Sequence, residues 1–261
     1  MKLPFYPFAL AAAVLSGCAV YVPTVPSTPL LAKAGEVEAV LAARNFSSGE
    51  LSAAWSPAQN LLLTTEGALQ QSEGSETRNG LTTNYVNFHR QASLGLGTYR
   101  LLGKNQSTYL AAVGGVGFAK ANIYDPNVDL FTIFGSNSGA QYEANYRRYY
   151  GQVYVASLGR TTSYGGSLRA VYVDYNRLLR NGAPIMPPTR VFVEPSLFLR
   201  VGRGSVQGQG TLGLSMPKSR NPDSEENNNL APSTVHFSVG IVVRPHLWKT
   251  SKTTAAPVPQ P

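Results

Sequence analysis

Apolar and polar residues alternate with a period of two along most of this chain. In 235–243, Val235, Phe237, Val239, Ile241 and Val243 are apolar, and His236, Ser238 and Gly240 fall between them. In 206–216, Val206, Leu212, Leu214 and Met216 alternate with Gln207, Gln209, Thr211 and Ser215. The same holds in 190–201, where Val191, Val193, Leu197, Leu199 and Val201 alternate with Arg190, Glu194, Ser196 and Arg200. It recurs in 36–44 and 85–97, whereas 108–124 is apolar on both faces and 141–160 switches face part way. Period two is the spacing of strands with one apolar and one polar face. Clusters of Gly, Pro, Asn and Ser divide the pattern into strands at about 35–46, 49–56, 60–71, 83–103, 108–124, 141–160, 165–179, 189–203, 205–217 and 233–245. The expected fold is all-β, an antiparallel up-and-down β-barrel of about 8–10 strands.

The connections sharpen this expectation. SPAQN (56–60), GKNQS (103–107), TTSYG (161–165) and RGS (203–205) are short, while 72–82, 125–140, 180–188 and 218–232 are longer and polar. The tight hairpin at Ser47-Ser48-Gly49 breaks the alternation. Short turns at one end and long loops at the other are the asymmetry of barrels that cross an outer membrane. Tyr142, Tyr146, Tyr149, Tyr150 and Tyr154 crowd one strand and Tyr172 and Tyr175 the next, as interfacial girdle residues would. Over residues 35–245 the chain resembles the small outer-membrane β-barrel proteins of Gram-negative bacteria, and among them the lipobox-bearing barrels of Bacteroidota. It departs from them after the last strand. Val243-Arg244-Pro245 is followed by a tail, 246–261, without periodicity and with prolines at 257, 259 and 261, which reads as disordered, with Trp248 as a possible girdle residue.

The N-terminus supplies an address. Met1-Lys2 precedes a short apolar stretch, Leu3 to Val14, and then Leu15-Ser16-Gly17-Cys18. The stretch is shorter than the ~20 residues of a membrane helix, and Pro4 and Pro7 disfavour one. These are the parts of a secretory signal. The box resembles the bacterial lipobox, which implies a signal peptide over 1–17 and acylation of Cys18, the single cysteine. No intramolecular disulfide can form. Residues 18–34 (Cys18 and then AVYVPTVPSTPLLAKA) read as a lipidated Pro-rich tether. They lack the acidic cluster that resembles a surface-export tag in Bacteroidota lipoproteins. Chain entry at the anchor puts the short turns, the N-terminus and the C-terminal tail in the periplasm, and the protein in the outer membrane.

Composition agrees with a barrel. Charged residues are 14%, with 25 Gly and 14 Tyr, which does not describe a disordered chain. The net charge of +8 would suggest nucleic acid in a cytoplasmic protein, but export makes anionic lipid or glycolipid headgroups the available partners. Candidate chemistry is sparse. His89, His236 and His246 are far apart in sequence and suggest no metal site. Asp125-Pro-Asn127-Val-Asp129 begins like a calcium loop, but Leu130 stands where Gly is needed and Ser136 where Glu is needed. Gly135-Ser136-Asn137-Ser138-Gly139 has Asn where a nucleophile elbow has its nucleophile. Gly114-Gly115-Val116-Gly117 lies inside a strand, where small residues make room for bulky neighbours. The acidic run at Asp223, Glu225 and Glu226 reads as a loop tip.

One constellation remains, a lumen charge cluster of Glu36, Glu38, Arg44, Glu66, Arg169, Arg190, Glu194 and Arg200. Side chains nearly fill the interior of so small a barrel, so these charges should pair. The expected role is non-catalytic, structural or surface-binding, with no cofactor and no metal. Membrane lipids would be met through acylated Cys18 and the barrel exterior, and a ligand at loops 72–82, 125–140 and 218–232. The alternatives are a narrow channel or small-ligand uptake barrel, and a soluble periplasmic β-barrel held by its lipid.

Overall fold

The computed structural model describes residues 20–78, 81–125, 139–218, 230 and 233–251. The alternating segments form β1 (Val37–Arg44), β2 (Ser48–Trp55), β3 (Leu61–Arg78), β4 (Leu81–Leu102), β5 (Thr108–Asp125), β6 (Ala140–Ser157) and β7 (Thr162–Arg180). A two-residue β8 (Ala183–Pro184) folds back on β7, and β9 (Val191–Arg203), β10 (Val206–Pro217) and β11 (Thr234–Val243) follow. Each long strand pairs antiparallel with the next, β7 with β9, and β11 returns to β1 from Ala39↔Val243 to Arg44↔Ser238. The result is a closed ring of ten long strands. Closure leaves no sheet edge, so every strand finds its backbone partners within the barrel.

The polarity of this ring is inverted relative to a soluble sandwich. Glu38, Arg44, Glu66, Arg148, Arg169, Glu194 and Arg200 are buried inside. Leu94, Leu197 and Leu41 on the outer face are 67%, 65% and 63% exposed. They belong to a continuous apolar surface with Leu51, Leu96, Phe118, Val153, Leu168, Leu212, Val239 and Ile241. A band of this kind has water as a poor solvent and hydrocarbon as a good one.

Several expectations are corrected. The described residues of the expected loop 72–82 are strand: β3 runs to Arg78 and β4 starts at Leu81, paired through Thr77↔Thr82 and Arg78↔Leu81. This ribbon is polar on both faces, so it carries no burial signal, and backbone hydrogen bonds hold it. The short turn expected at 161–165 is already strand from Thr162, and β7 continues to Arg180. The irregular tail does not begin at 246, because Pro245–Ser251 form a 3₁₀ helix tied to β1 by the His246 imidazole and the Val37 backbone. The crowded tyrosines do not form an outer girdle. Tyr142, Tyr146, Tyr150 and Tyr154 share the inward face of β6, and Tyr149 and Tyr172 alone of that group point outward, 6.4 Å apart by ring centroid. Loops 125–140 and 218–232 lie mostly outside the described residues, as do Leu15, Ser16, Gly17, Cys18, Asn127, Asp129 and the acidic run at 223–226.

The largest correction concerns the expected tether. Val20, Tyr21, Thr24, Ser27, Thr28, Leu30 and Leu31 are buried, and the segment they define runs through the lumen. Its direction follows from its partners on β6, which runs from the long-connection end to the short-turn end. Tyr146 packs on Tyr21, Arg148 bonds Thr24, Gln152 bonds the Ser27 carbonyl and Tyr154 bonds the Pro29 carbonyl, in that order. The Val20 N–H donates to the Leu230 carbonyl (2.9 Å) in the β10–β11 connection. At the other end, the Gly35 N–H donates to the Ser56 carbonyl (2.7 Å) and the chain reverses into β1. Gly35 has φ 83°, a conformation that residues with a side chain rarely adopt. Val20 and the C-terminal 3₁₀ helix therefore lie at opposite ends of the barrel. The expectation that both termini share the periplasmic side does not fit this geometry.

Candidate functional site

The candidate site is the lumen itself, wall and threaded segment together. Pro23, Pro26 and Pro29 recur every third residue. That repeat matches the three-residue turn of polyproline II, a form with no internal hydrogen bonds. Three prolines also remove three buried N–H groups that the wall would otherwise have to satisfy. The remaining backbone groups find side chains. The Val25 N–H donates to Glu50 (3.0 Å), Ser27 to Glu66 (2.9 Å) and Ala32 to Glu36 (2.6 Å). Arg169 donates to the Thr24 carbonyl, Gln152 to that of Ser27 (2.8 Å), Arg200 to that of Thr28 (2.7 Å) and Tyr154 to that of Pro29 (2.8 Å).

Ion pairs join these anchors. Glu66 on β3 accepts from Arg148 on β6 at 2.8 Å and from Arg169 on β7 at 3.1 Å, across the lumen. Arg169 also pairs with Glu194 on β9 at 2.9 Å, and Glu194 accepts from the Tyr21 hydroxyl at 2.7 Å. Arg200 and Arg244 both meet Glu38 at 2.9 Å, and Arg44 meets Glu50 at 2.7 Å. Arg148 and Arg169 stand 5.4 and 5.7 Å from the centroid of the Tyr150 ring, a cation–π arrangement. Gly115 makes room for that ring, since a Cβ there would come within 2.4 Å of it.

Six of the eight charges named from alternation, Glu38, Arg44, Glu66, Arg169, Glu194 and Arg200, stand in the lumen. Glu36 sits at the short-turn rim, where it caps the backbone of Ala32 and Lys33 and lies 3.8 Å from His246. Arg190 is exposed on the connection before β9, against the Tyr172 hydroxyl; the β9 ladder with β7 begins one residue later, at Val191. Alternation missed Arg148, Glu50, Gln152 and Tyr21. Arg148 was hidden because it follows Arg147 in a strand with tyrosines on both faces, and counting in twos from Ala140 recovers it. Proline spacing is the one local trace of the threaded segment. His89 and His236 are buried in the lumen and His246 lies at the rim. Among the described residues no His, Cys, Asp and Glu group could hold a metal ion.

The cavity beside Thr24–Thr28, bounded by Val40, Glu50, Glu66 and Gln209, measures about 20 Å³, room for about one water. Ring closure, inverted polarity and buried charge define a β-barrel of the outer-membrane type. No family model matches the chain, and no curated protein matches it in sequence. Among solved structures, the chain is similar to the translocator domain of autotransporter NalP from Neisseria meningitidis, with TM-score 0.44 and 8% identity over 91% of this chain and 94% of that one. It is also similar to LpxR from Salmonella typhimurium, with TM-score 0.39 and 8% identity over 80% and 99%. A deletion mutant of the monoaromatic hydrocarbon channel TodX gives 0.30 and 10% over 80% and 88%. At these values the likeness is one of barrel shape and assigns no role.

Proposed function

We propose that this chain is a lipid-anchored, membrane-spanning barrel whose lumen is closed by its own N-terminal segment, with a non-catalytic, structural or surface-binding role. The observation that carries the reading is the bonding of Tyr21 through Leu30 to six wall strands, β1, β2, β3, β6, β7 and β9, with space for about one water beside Thr24–Thr28. A pathway for solute needs the segment to leave, and leaving would strand buried charges. The apolar exterior supports the membrane.

The lipobox-like run supports an acyl anchor at Cys18. Two residues of extended chain span at most about 7 Å, and Val20 stands at the long-connection end. This reading therefore seats the acyl chains in the leaflet on that side, with the short turns and the 3₁₀ helix on the other. Loops face outward in such barrels, so the anchor belongs to the outer leaflet.

Planar-bilayer recording tests the closed lumen. The full chain is expected to carry no steady current and a variant lacking residues 20–31 to carry one; steady selective current through the full chain overturns the reading. A Cys18→Ser variant is expected to lose palmitate labelling and to stay in membranes through a carbonate wash. Retained labelling overturns the acylation, and release by carbonate overturns the spanning barrel in favour of a soluble domain held by its lipid.

A further inference from the structure

On three adjacent strands a cation interrupts the outward series towards the long-connection end. Along β4 the outward series is Leu96, Leu94, Ala92 and then Arg90, with Phe88 and Val86 beyond it; along β5 it is Val116, Phe118 and then Lys120; along β6 it is Val153, Gly151, Tyr149 and then Arg147. Registration brings the three together. Arg90 lies directly opposite Lys120, and Arg147 lies opposite Phe118, one outward position nearer the band. All three are exposed. Like charges directly opposite each other on a sheet face repel, so this placement asks for an anion.

The wall supplies none within ion-pair range. Among the described residues no carboxylate forms an ion pair with Arg90, Lys120 or Arg147. Asp174 is registered opposite Arg147 without pairing with it, and Glu143 is taken by Arg177 at 3.3 Å. Between the cations lies a groove of about 420 Å³ lined by Arg90, Ala92, Phe118, Lys120, Asn145 and Arg147. Phe118, at its foot, is 60% exposed and continuous with the apolar band.

We propose that this groove binds a phosphorylated glycolipid of the loop-side leaflet, its phosphates on Arg90, Lys120 and Arg147 and its acyl chains over Ala92, Phe118 and Leu94. A soluble anion would leave Phe118 bare, whereas an amphiphile covers it. The cations span two interstrand spacings, about 10 Å, so a sugar headgroup with two phosphates suits them better than a single phosphodiester. Guanidinium groups hold phosphate oxygens in paired hydrogen bonds. The site rests on the spanning barrel proposed above, which the carbonate wash tests separately.

The full chain in detergent would be titrated with bisphosphorylated lipid A and followed by native mass spectrometry. Lipid adducts are expected on the wild type and should weaken about tenfold or more in the triple variant R90Q/K120Q/R147Q. These side chains are exposed, and retained heat-modifiable migration would confirm that the variant is folded. Arg100→Gln, an exposed cation on β4 near the short turns, is expected to leave binding unchanged. Equal binding by the triple variant, an equal loss in Arg100→Gln, or equal binding of phosphatidylglycerol or inorganic phosphate by the wild type would each overturn the proposal.

Discussion

Replacing Glu66 by Gln removes one charge from the middle of the lumen and almost no volume. Its carboxylate takes Arg148 at 2.8 Å and Arg169 at 3.1 Å, and the backbone N–H of Ser27 at 2.9 Å. Arg169 keeps Glu194 at 2.9 Å. Arg148, fully buried, keeps the hydroxyls of Thr24 (2.8 Å) and Ser93 (2.9 Å) but no carboxylate within ion-pair range. Breaking one partner of a buried pair costs about 3–5 kcal/mol. The two remaining hydroxyls and the Gln oxygen place this case near ~3 kcal/mol. With a urea slope of about 1–3 kcal/mol per molar, the unfolding midpoint in lipid vesicles should fall by about 1 M or more. Tryptophan fluorescence would report the transition, and the same variant should show intermittent current in planar bilayers as the segment loosens. A paired control separates charge from shape: the double variant E66M/R148M should lose less than E66M alone, because no unpaired guanidinium remains. An E66Q midpoint equal to the wild type, with no current, would refute the view that these pairs hold the segment.

Three further outcomes follow from individual contacts. Tyr21→Phe removes a hydroxyl that donates to Glu194 at 2.7 Å while keeping the ring stack on Phe192 at 4.2 Å, so a loss of about 1.5–3 kcal/mol in urea unfolding is expected. A midpoint equal to the wild type would contradict a stabilising role for this bond. Gly115→Ala puts a Cβ within 2.4 Å of both the Tyr150 ring and the Leu94 carbonyl, and should destabilise by about 1–3 kcal/mol; Tyr150→Phe should not rescue it, since the ring stays, and rescue would point elsewhere. Leu94→Arg, on the outer face, should cost about 2–4 kcal/mol if Leu94 lies near the bilayer midplane, measured in vesicles, whereas a soluble domain would tolerate it.

The wall was legible in the sequence because its signal is local. In β11 the alternation from Val235 to Val243 names both the strand and its outward face, and the register with β10 preserves it. Alternation says less when both faces carry the same kind of side chain. In β6, tyrosines point inward at 142, 146, 150 and 154 and outward at 149, and aromatic content alone cannot say which set meets lipid. The inward set is fixed by distant partners, such as Pro29 for Tyr154 and Tyr21 for Tyr146. The threaded segment is the extreme case. It has no apolar period of its own, so it reads as a linker, and the bond between Tyr21 and Glu194 joins residues 173 apart. The β3–β4 ribbon was lost for a different reason: Glu73, Ser75, Thr77, Thr82 and Asn84 look like loop residues, and only ladder pairing makes them strand.

The geometry of the lumen also constrains how the protein can assemble. Four carboxylates, Glu38, Glu50, Glu66 and Glu194, face four guanidiniums, Arg44, Arg148, Arg169 and Arg200, with the segment interleaved among them. Threading a finished barrel would require several buried pairs to open together, each at a cost of several kcal/mol. The segment is joined to β1 through the reversal at Gly35, so it is covalently tethered next to the strand that closes the ring. The step that traps it is the seam between β1 and β11, six registered residue pairs from Ala39↔Val243 to Arg44↔Ser238. These two strands are the first and the last of the barrel, so the seam is its most non-local pairing, and such pairings form late. This order predicts that the wall closes around the segment, with Val20 at the long-connection end.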